Sequence, residues 1–280
     1  CALPISWVSQ AVASFGSLVA VALSPADYGS QGGRGIVRFY RMAANGTLTL
    51  LQDVAVGYLP DSIAFNSSGT QLVVANEGEP TSNYSINGTS LDRPGSIGII
   101  DIRNPNGSPS FSYTELGFAG LTLPGGIRIS GMAGVSSQAT DVEPEYVSIN
   151  GNFAYVTLQE NNGVAKVNLR TKTIEQIFDL GSVDFATQLV DISDRDNSTS
   201  TGVLIKPVFG NNVRGLRMAD GIAAFTLTTP GRFARGNDYF MTANEGDGRE
   251  YGTFTDEIRR NTGISSRLKT LLDDSSVPYT

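Results

Sequence analysis

Three stretches of this chain follow one plan: an acid, a short apolar run, a turn, a second apolar run, then an amide residue and Glu. They are PDSIAFNSSGTQLVVANEG (60–78), PEYVSINGNFAYVTLQENNG (144–163) and ADGIAAF…NDYFMTANEGDG (219–248). A fourth, weaker copy, SLVAVALSPADYGSQGGRGIVRFYRM (17–42), keeps two of the strands but has Ser-Pro where the others have Glu. Further strand-like runs follow the first two copies, GSIGIIDI and SYTELGF in one, GVAKVNL and TIEQIFDL in the other. Four short antiparallel strands per repeat is the blade of a β-propeller, and repetition at this scale fixes the architecture before any other feature is weighed.

The expected fold is therefore all-β: a propeller of four-stranded antiparallel blades. About four blades fit the chain, starting near residues 15, 58, 140 and 215. Residues 1–14 form an amino-terminal segment and 15–280 the propeller domain, an incomplete one that would have seven blades at full length. Glu77, Glu160 and Glu245 are 83 and 85 residues apart, against about 40–45 for a compact blade. The surplus falls in three insertions, TSNYSINGTSLDRP, AGLTLPGGIRISGMAGVSSQAT and DFATQLVDISDRDNSTSTGVLIKPVFGNNVRGLRM. Near the carboxyl end, FTDEIRRNTGISSRLKTLL spaces Ile258, Ile264, Leu268 and Leu271 for one short helix. The run SLVAVALS reads as a buried strand. ISWVSQAVASFGSLVAVALS lacks a basic flank and is broken by Ser, Gln and Gly, so no membrane span is expected.

The plan also places chemistry. In an antiparallel hairpin the first residues of one strand and the last of the next share an end. Asp61 should thus lie near Glu77, Glu145 near Glu160, and Asp220 near Glu245. More acids crowd the same places: Glu79 beside Glu77, Asp141 and Glu143 beside Glu145, Asp247 and Glu250 beside Glu245. Carboxylates gathered on one face repel one another unless a cation sits among them. The chain has no His at all, which removes His-based triads and His-ligated zinc and leaves an all-oxygen donor set. Such a set suits Ca²⁺ better than Mg²⁺ or Mn²⁺, with no organic cofactor implied. The candidate ligands are Asp61, Glu77, Glu143, Glu145, Glu160, Asp220, Glu245 and Asp247, with Asp191, Asp194 and Asp196 of DISDRDN as a lesser site. The alternative is that these acids are only solvated turn formers.

A net charge of −7 with 17% charged residues argues against a nucleic-acid partner. A single Cys, Cys1, forms no intrachain disulfide and gives no vote on redox compartment. Sequons speak instead: Asn45, Asn66, Asn83, Asn87, Asn106 and Asn197 each begin Asn-X-Ser/Thr, which points to an extracellular or cell-surface glycoprotein. Asn66, Asn87 and Asn197 have the most turn-like surroundings and are expected to be exposed.

The series PDSIAFNSSGTQLVVANEGEP, DVEPEYVSINGNFAYVTLQENN, SDRDN and DGIAAF…TANEGDGREY resembles the choice-of-anchor I proteins, which include mesenchyme-specific cell-surface glycoproteins of skeleton-forming cells. The resemblance runs over residues 15–260. It implies a propeller similar to the YVTN and phytase-like types, an extracellular place and an association with calcified matrix. Departures are the missing Glu of the first copy and RMADGI, where relatives tend to have Pro before Asp220.

Three function classes follow. One is a calcium-binding surface or biomineral-matrix glycoprotein, whose partners are metal ions, a mineral surface, further blades or matrix proteins. Another is a Ca²⁺-dependent phytase-like phosphatase or phosphodiesterase, for which Arg249 and Lys206 are the nearest cations by sequence. The third is a non-catalytic adhesion or assembly scaffold. Whether the chain is an enzyme stays open at this point.

Overall fold

The computed structural model describes residues 7–81, 92–130, 137–190, 208–209, 213–227, 237–251 and 254–256. The chain divides into two units, one of Cys1–Leu180 with Met218–Asp256 and one of Gly181–Arg217 with Glu257–Thr280.

The first unit contains three four-stranded antiparallel sheets built as successive blades. The first runs β1 (Trp7–Phe15), β2 (Leu18–Pro25), β3 (Arg34–Met42), β4 (Leu48–Tyr58), with a helical turn α1 (Tyr28–Gln31) between β2 and β3. The second runs β5 (Pro60–Phe65), β6 (Gln71–Asn76), β7 (Ser96–Arg103), β8 (Ser110–Gly117). After a turn α2 (Gln138–Asp141), the third runs β9 (Val147–Asn150), β10 (Phe153–Leu158), β11 (Gly163–Asn168), β12 (Thr173–Asp179). In each sheet sequential strands are spatial neighbours, the up-and-down order expected of a blade.

Two boundaries differ from the sequence reading. The first sheet begins at Trp7, so β1 occupies most of the stretch assigned to a separate amino-terminal segment. The apolar positions of β1 are diluted by Ser and Gln because one of its faces is open, and that dilution hid the strand. The fourth repeat, expected as a blade from near 215, is a two-stranded ladder among the described residues.

The second unit, by itself, pairs β13 (Ser182–Asp184) with β16 (Arg214–Leu216) and β14 (Leu189–Val190) with β15 (Val208–Phe209). Thus the insertion read as loop carries two short ladders. Asp184 Oδ2 accepts from Arg214 Nη2 at 3.1 Å across the first of them. The first unit resumes with β17 (Ala219–Thr226) paired to β18 (Asp238–Asn244), then a small hairpin of β19 (Glu250–Tyr251) and β20 (Phe254–Thr255). The segment expected as a helix opens with β20, and its residues from 257 on lie outside the described residues.

Period-two alternation explains how the sheets stack. On β6, Leu72 and Val74 enter one core while Val73 and Ala75 enter the next; on β7, Ile100 and Ile102 divide from Ile97 and Ile99 in the same way. The first core joins these to Leu18, Ala20, Val37, Phe39 and Val56 of the first blade. The second joins them to Ala154, Val156, Leu158, Ala165 and Val167 of the third. Strands covered on both faces read as continuous apolar runs, which is why QLVVAN and SIGIIDI show no polar alternation. A third cluster packs Tyr155 and Val164 against Ile222, with Phe178 and Phe240 alongside.

Strand direction sorts the connections by end. The β1–β2, β3–β4, β5–β6 and β7–β8 turns lie at one end of the blades. The β2–β3, β4–β5, β6–β7, β8–β9 and β10–β11 connections lie at the other.

Leu72→Ala, in the sealed first core, should cost about 2–5 kcal/mol. Val12→Ala, at a position 66% exposed on β1, should stay within about 0.5 kcal/mol. Denaturant unfolding of the two variants checks the assignment of inner and outer faces.

Candidate cation site at one end of the blades

The Asn-Glu-Gly repeat resolves into three separate jobs. Gly78 and Gly246 both have φ of +75°, a left-handed conformation that glycine adopts without strain. Asn76 is fully buried; its Oδ1 accepts Gly57 N–H at 3.1 Å and its Nδ2 donates to Ser96 Oγ at 3.2 Å. It therefore ties β6 to the end of β4 and to β7. Each Glu is fixed through its backbone: Glu77 N–H donates to Leu59 O at 2.9 Å, and Glu245 N–H to Met218 O at 3.2 Å. Leu59 (φ +47°) and Met218 (φ +42°) are left-handed in turn, so two repeats share one backbone kink ahead of the acid-bearing strand. The turn thus uses the amide, the glycine and the backbone, but not the Glu carboxylate.

In the middle repeat the left-handed residue is Asn162 (φ +55°), whose Oδ1 accepts Met218 N–H at 3.1 Å. Asn161 is more demanding. Its Oδ1 accepts Glu143 N–H at 3.1 Å, and its Nδ2 donates to Arg128 O and Asp141 O at 2.8 and 2.7 Å. Gln159, where the other copies have Asn, directs its amide nitrogen to Glu145, or to Glu245 Oε2 at 3.5 Å in the opposite amide orientation.

Asp61, Glu145 and Asp220, from three repeats, feel one another's charge, as do Glu77, Glu79, Glu143 and Glu160. Convergence at one end of the blades is therefore observed. Burial is the main cause of every shift. It raises Glu77 well above the ordinary range, reinforced by Glu79, Glu143, Asp61 and Glu160. Glu79 is pushed up to about 7 by burial and then Glu160, and Glu145 to about 9 by burial and then Glu160, Asp220, Asp61 and Glu245. Asp61 is raised by burial and Asp220. Glu160 is raised by burial and Asp247, with Arg249 and Arg128 pulling it back. The depth is graded: Glu77, Glu143 and Glu160 are buried, Asp61, Glu79, Glu145 and Asp220 half-buried, Glu245 and Asp247 exposed.

Arg249 has a role different from the one its sequence position suggested. It is 1% exposed and cannot reach solvent to grip a phosphate. Its Nε donates to Glu143 Oε2 at 2.9 Å and its Nη2 to Asp141 O at 2.7 Å, while Nη1 faces Asp141 Oδ2 at 3.8 Å. Tyr251 OH also donates to Glu143 Oε2, at 3.1 Å. Glu143 is accordingly held by an ion pair through Oε2. Asp141 accepts from Ser130 N–H at 2.9 Å and from Ser130 Oγ. A second basic strut joins Arg128 Nη1 to Asp256 Oδ2 at 2.6 Å.

Sequence reasoning missed Asp92, whose pKa burial lifts to about 6 against a hydrogen bond from Thr140 and the charge of Arg249. Glu143 Oε1 and Glu160 Oε2 are buried and unpartnered. Among the described residues no group of three or more acidic side chains forms a ready-made metal cage. The donor set nonetheless fits a hard cation, because it is all oxygen and two of its buried oxygens lack any donor. Asp191, Asp194, Asp196, Asn83, Asn87, Asn197, Lys206 and Cys1 lie outside the described residues. Asn66, expected to be exposed, is half-buried because its own side chain holds the β5–β6 turn.

Repeated hairpins with acids gathered at their open ends define a propeller-type surface domain. The chain belongs to the choice-of-anchor I family, matching the Choice-of-anchor I domain over residues 6–278. No curated protein matches it. Among solved structures it is similar to a chain of a structure titled "Crystal structure of Nidogen/Laminin Complex", at 13% identity and a TM-score of 0.31, covering 58% of this chain and 43% of that one. This chain therefore spans less than half of that one. No helix of the described residues is long and apolar enough to cross a membrane.

Removing Arg249 leaves Glu143 buried without its counter-charge, so Arg249→Met should cost about 3–5 kcal/mol in denaturant unfolding. Combining it with Glu143→Gln should restore much of that loss, since position 143 then carries no buried charge that needs the guanidinium.

Proposed function

We propose that this chain is a calcium-binding module of a cell-surface or matrix glycoprotein, non-catalytic in itself, with its acidic end as the working surface. The observation that carries the reading is the convergence of carboxylates from three successive hairpins, part of them buried with unpartnered oxygens, in a chain without a single His. Glu77, Glu79 and Glu160 would hold the ion in the depth of the site, with Asp61, Glu145 and Asp220 nearer the rim. A bound Ca²⁺ supplies positive charge where burial otherwise penalises every ionised carboxylate. Family membership and the sequons support a surface or secreted place. The hydrolase reading loses its main support because Arg249 is committed to Glu143 and Asp141.

Titration of Ca²⁺ into the chelator-treated protein, followed by thermal melting, tests this together with a phosphatase assay on the same sample. Ca²⁺ at a hundredfold excess over its dissociation constant should stabilise by about 2.7 kcal/mol, with no phosphate-ester turnover. Glu77→Gln with Glu160→Gln should remove most of that gain while leaving the calcium-free protein as stable or more so. A melting temperature indifferent to Ca²⁺ and chelator would leave only the scaffold, and turnover would select the hydrolase.

Proton linkage gives an independent check. A carboxyl whose pKa rises on folding holds its proton more tightly in the folded chain, so without metal stability falls as pH climbs from the ordinary Glu range through about 7 for Glu79 and about 9 for Glu145. Saturating Ca²⁺ should flatten that decline and be bound with proton release. Melting curves from pH 5 to 9, with Ca²⁺ or chelator, measure both effects.

A further inference from the structure

One cation is already present at the acidic end, and it belongs to the chain. Arg249 is 1% exposed, and the Asp141 and Glu143 beside it are fully buried. Each hydrogen-bond or ion-pair partner of its guanidinium among the described residues is an oxygen: Glu143 Oε2 at 2.9 Å from Nε, Asp141 O at 2.7 Å from Nη2, and Asp141 Oδ2 at 3.8 Å from Nη1. Two carboxylates and a backbone carbonyl gathered round one buried point are also what a hard metal ion takes as ligands.

The oxygens fit a guanidinium only in part. A planar fork grips a carboxylate best through two parallel bonds, one to each oxygen. Here Nε alone bonds to Glu143, which leaves Glu143 Oε1 and Arg249 Nη1 buried with no hydrogen-bond partner among the described residues. The fold does not ask for a charge at this place either. In the sibling repeats the equivalent residues ahead of the acid-bearing strands are Leu59 and Met218, both buried, and exchanging a buried ion pair for apolar side chains is often neutral or stabilising. What these oxygens require is positive charge rather than the shape of one side chain.

Glu160 connects this point to the deep carboxylates. Its Oε2 is buried and unpartnered, and its charge is felt by Glu143 on one side and by Glu77 and Glu79 on the other. We infer that Asp141 and Glu143 form a second cation position beside that of the proposed Ca²⁺, and that Arg249 fills it with a tethered charge, so that the native chain takes one ion fewer than its carboxylates could hold. A tethered guanidinium cannot diffuse away or be drawn off by a chelator. The position therefore stays filled at every Ca²⁺ concentration. The same charge repels an ion held by Glu77, Glu79 and Glu160 and weakens its binding. That last consequence rests on the proposed function, whereas the second position itself does not.

Counting the Ca²⁺ ions bound per chain, by equilibrium dialysis of the chelator-treated full chain, provides the test. Arg249→Ala empties the position and leaves its oxygens in place, so this variant should bind one ion more than the native chain. Arg249→Lys keeps a tethered charge and should bind the native number. Arg249→Ala combined with Glu143→Gln removes the main ligand and should return to that number too. Because the extra ion replaces the lost charge, the melting temperature of Arg249→Ala should drop in chelator and recover in Ca²⁺ by more than the native chain gains. The inference is overturned by an Ala variant that binds only the native number or stays unfolded in saturating Ca²⁺, by a Lys variant that gains an ion, or by an extra ion that survives Glu143→Gln. A native chain that binds no ion while the Ala variant binds one would instead support the second position and sink the proposed function, which keeps the two failures apart.

Discussion

The buried guanidinium of Arg249 is the contact on which the acidic end depends. Glu77, Glu143 and Glu160 are drawn out of water by the packing of three hairpins, and each resists ionisation there. One fixed positive charge with donors in a planar fork compensates part of that penalty and pins the loop after β18 to α2 and to Glu143. Where the sibling repeats place Leu59 and Met218 ahead of their acid-bearing strands, this one places Glu143. The exchange of an apolar residue for a carboxylate at that position makes sense only with Arg249 present. Compensation is still incomplete, since Glu143 Oε1 and Glu160 Oε2 remain unpartnered.

Backbone demands and chemical function are separable within the repeat itself. Asn76 and Gly78 would be required by the fold whatever followed them, the one to bridge β4, β6 and β7, the other to turn the chain with φ of +75°. Gly95 shows how tight the packing is at the same end, for a Cβ there would stand 2.0 Å from Val142 O and 2.8 Å from Glu77 O. The Glu carboxylate alone has no such duty. Its recurrence at 77, 160 and 245 therefore asks for a reason outside the turn, and bound charge supplies one.

What could be read in advance follows from which interactions are local. Hairpin pairing is local, so placing Asp61 by Glu77 and Asp220 by Glu245 needed only alternating apolar runs and a turn. The blades were legible for the same reason, through QLVVAN, SIGIIDI and FAYVTL. The strand β1 was not, because one open face let Ser9, Gln10 and Ser14 dilute its pattern. Arg249 and Glu143 are 106 residues apart, and nothing in either neighbourhood announces the other. Asn66 was misjudged because NSSG is a turn signal, and the same turn chemistry that marks the site also engages its amide.

The two ends of the blades thus differ in kind although the same strands build both. Connections at the acidic end hold buried polar contacts such as those of Asn161 and Asp141. Turns at the opposite end are short hairpins whose residues mostly face water. At the first end burial raises the pKa values of Glu77, Glu79, Glu145 and Glu160. Strand direction, through the rule that alternate connections share an end, is what lets a repeated sequence motif become a single site rather than a charge spread over two surfaces.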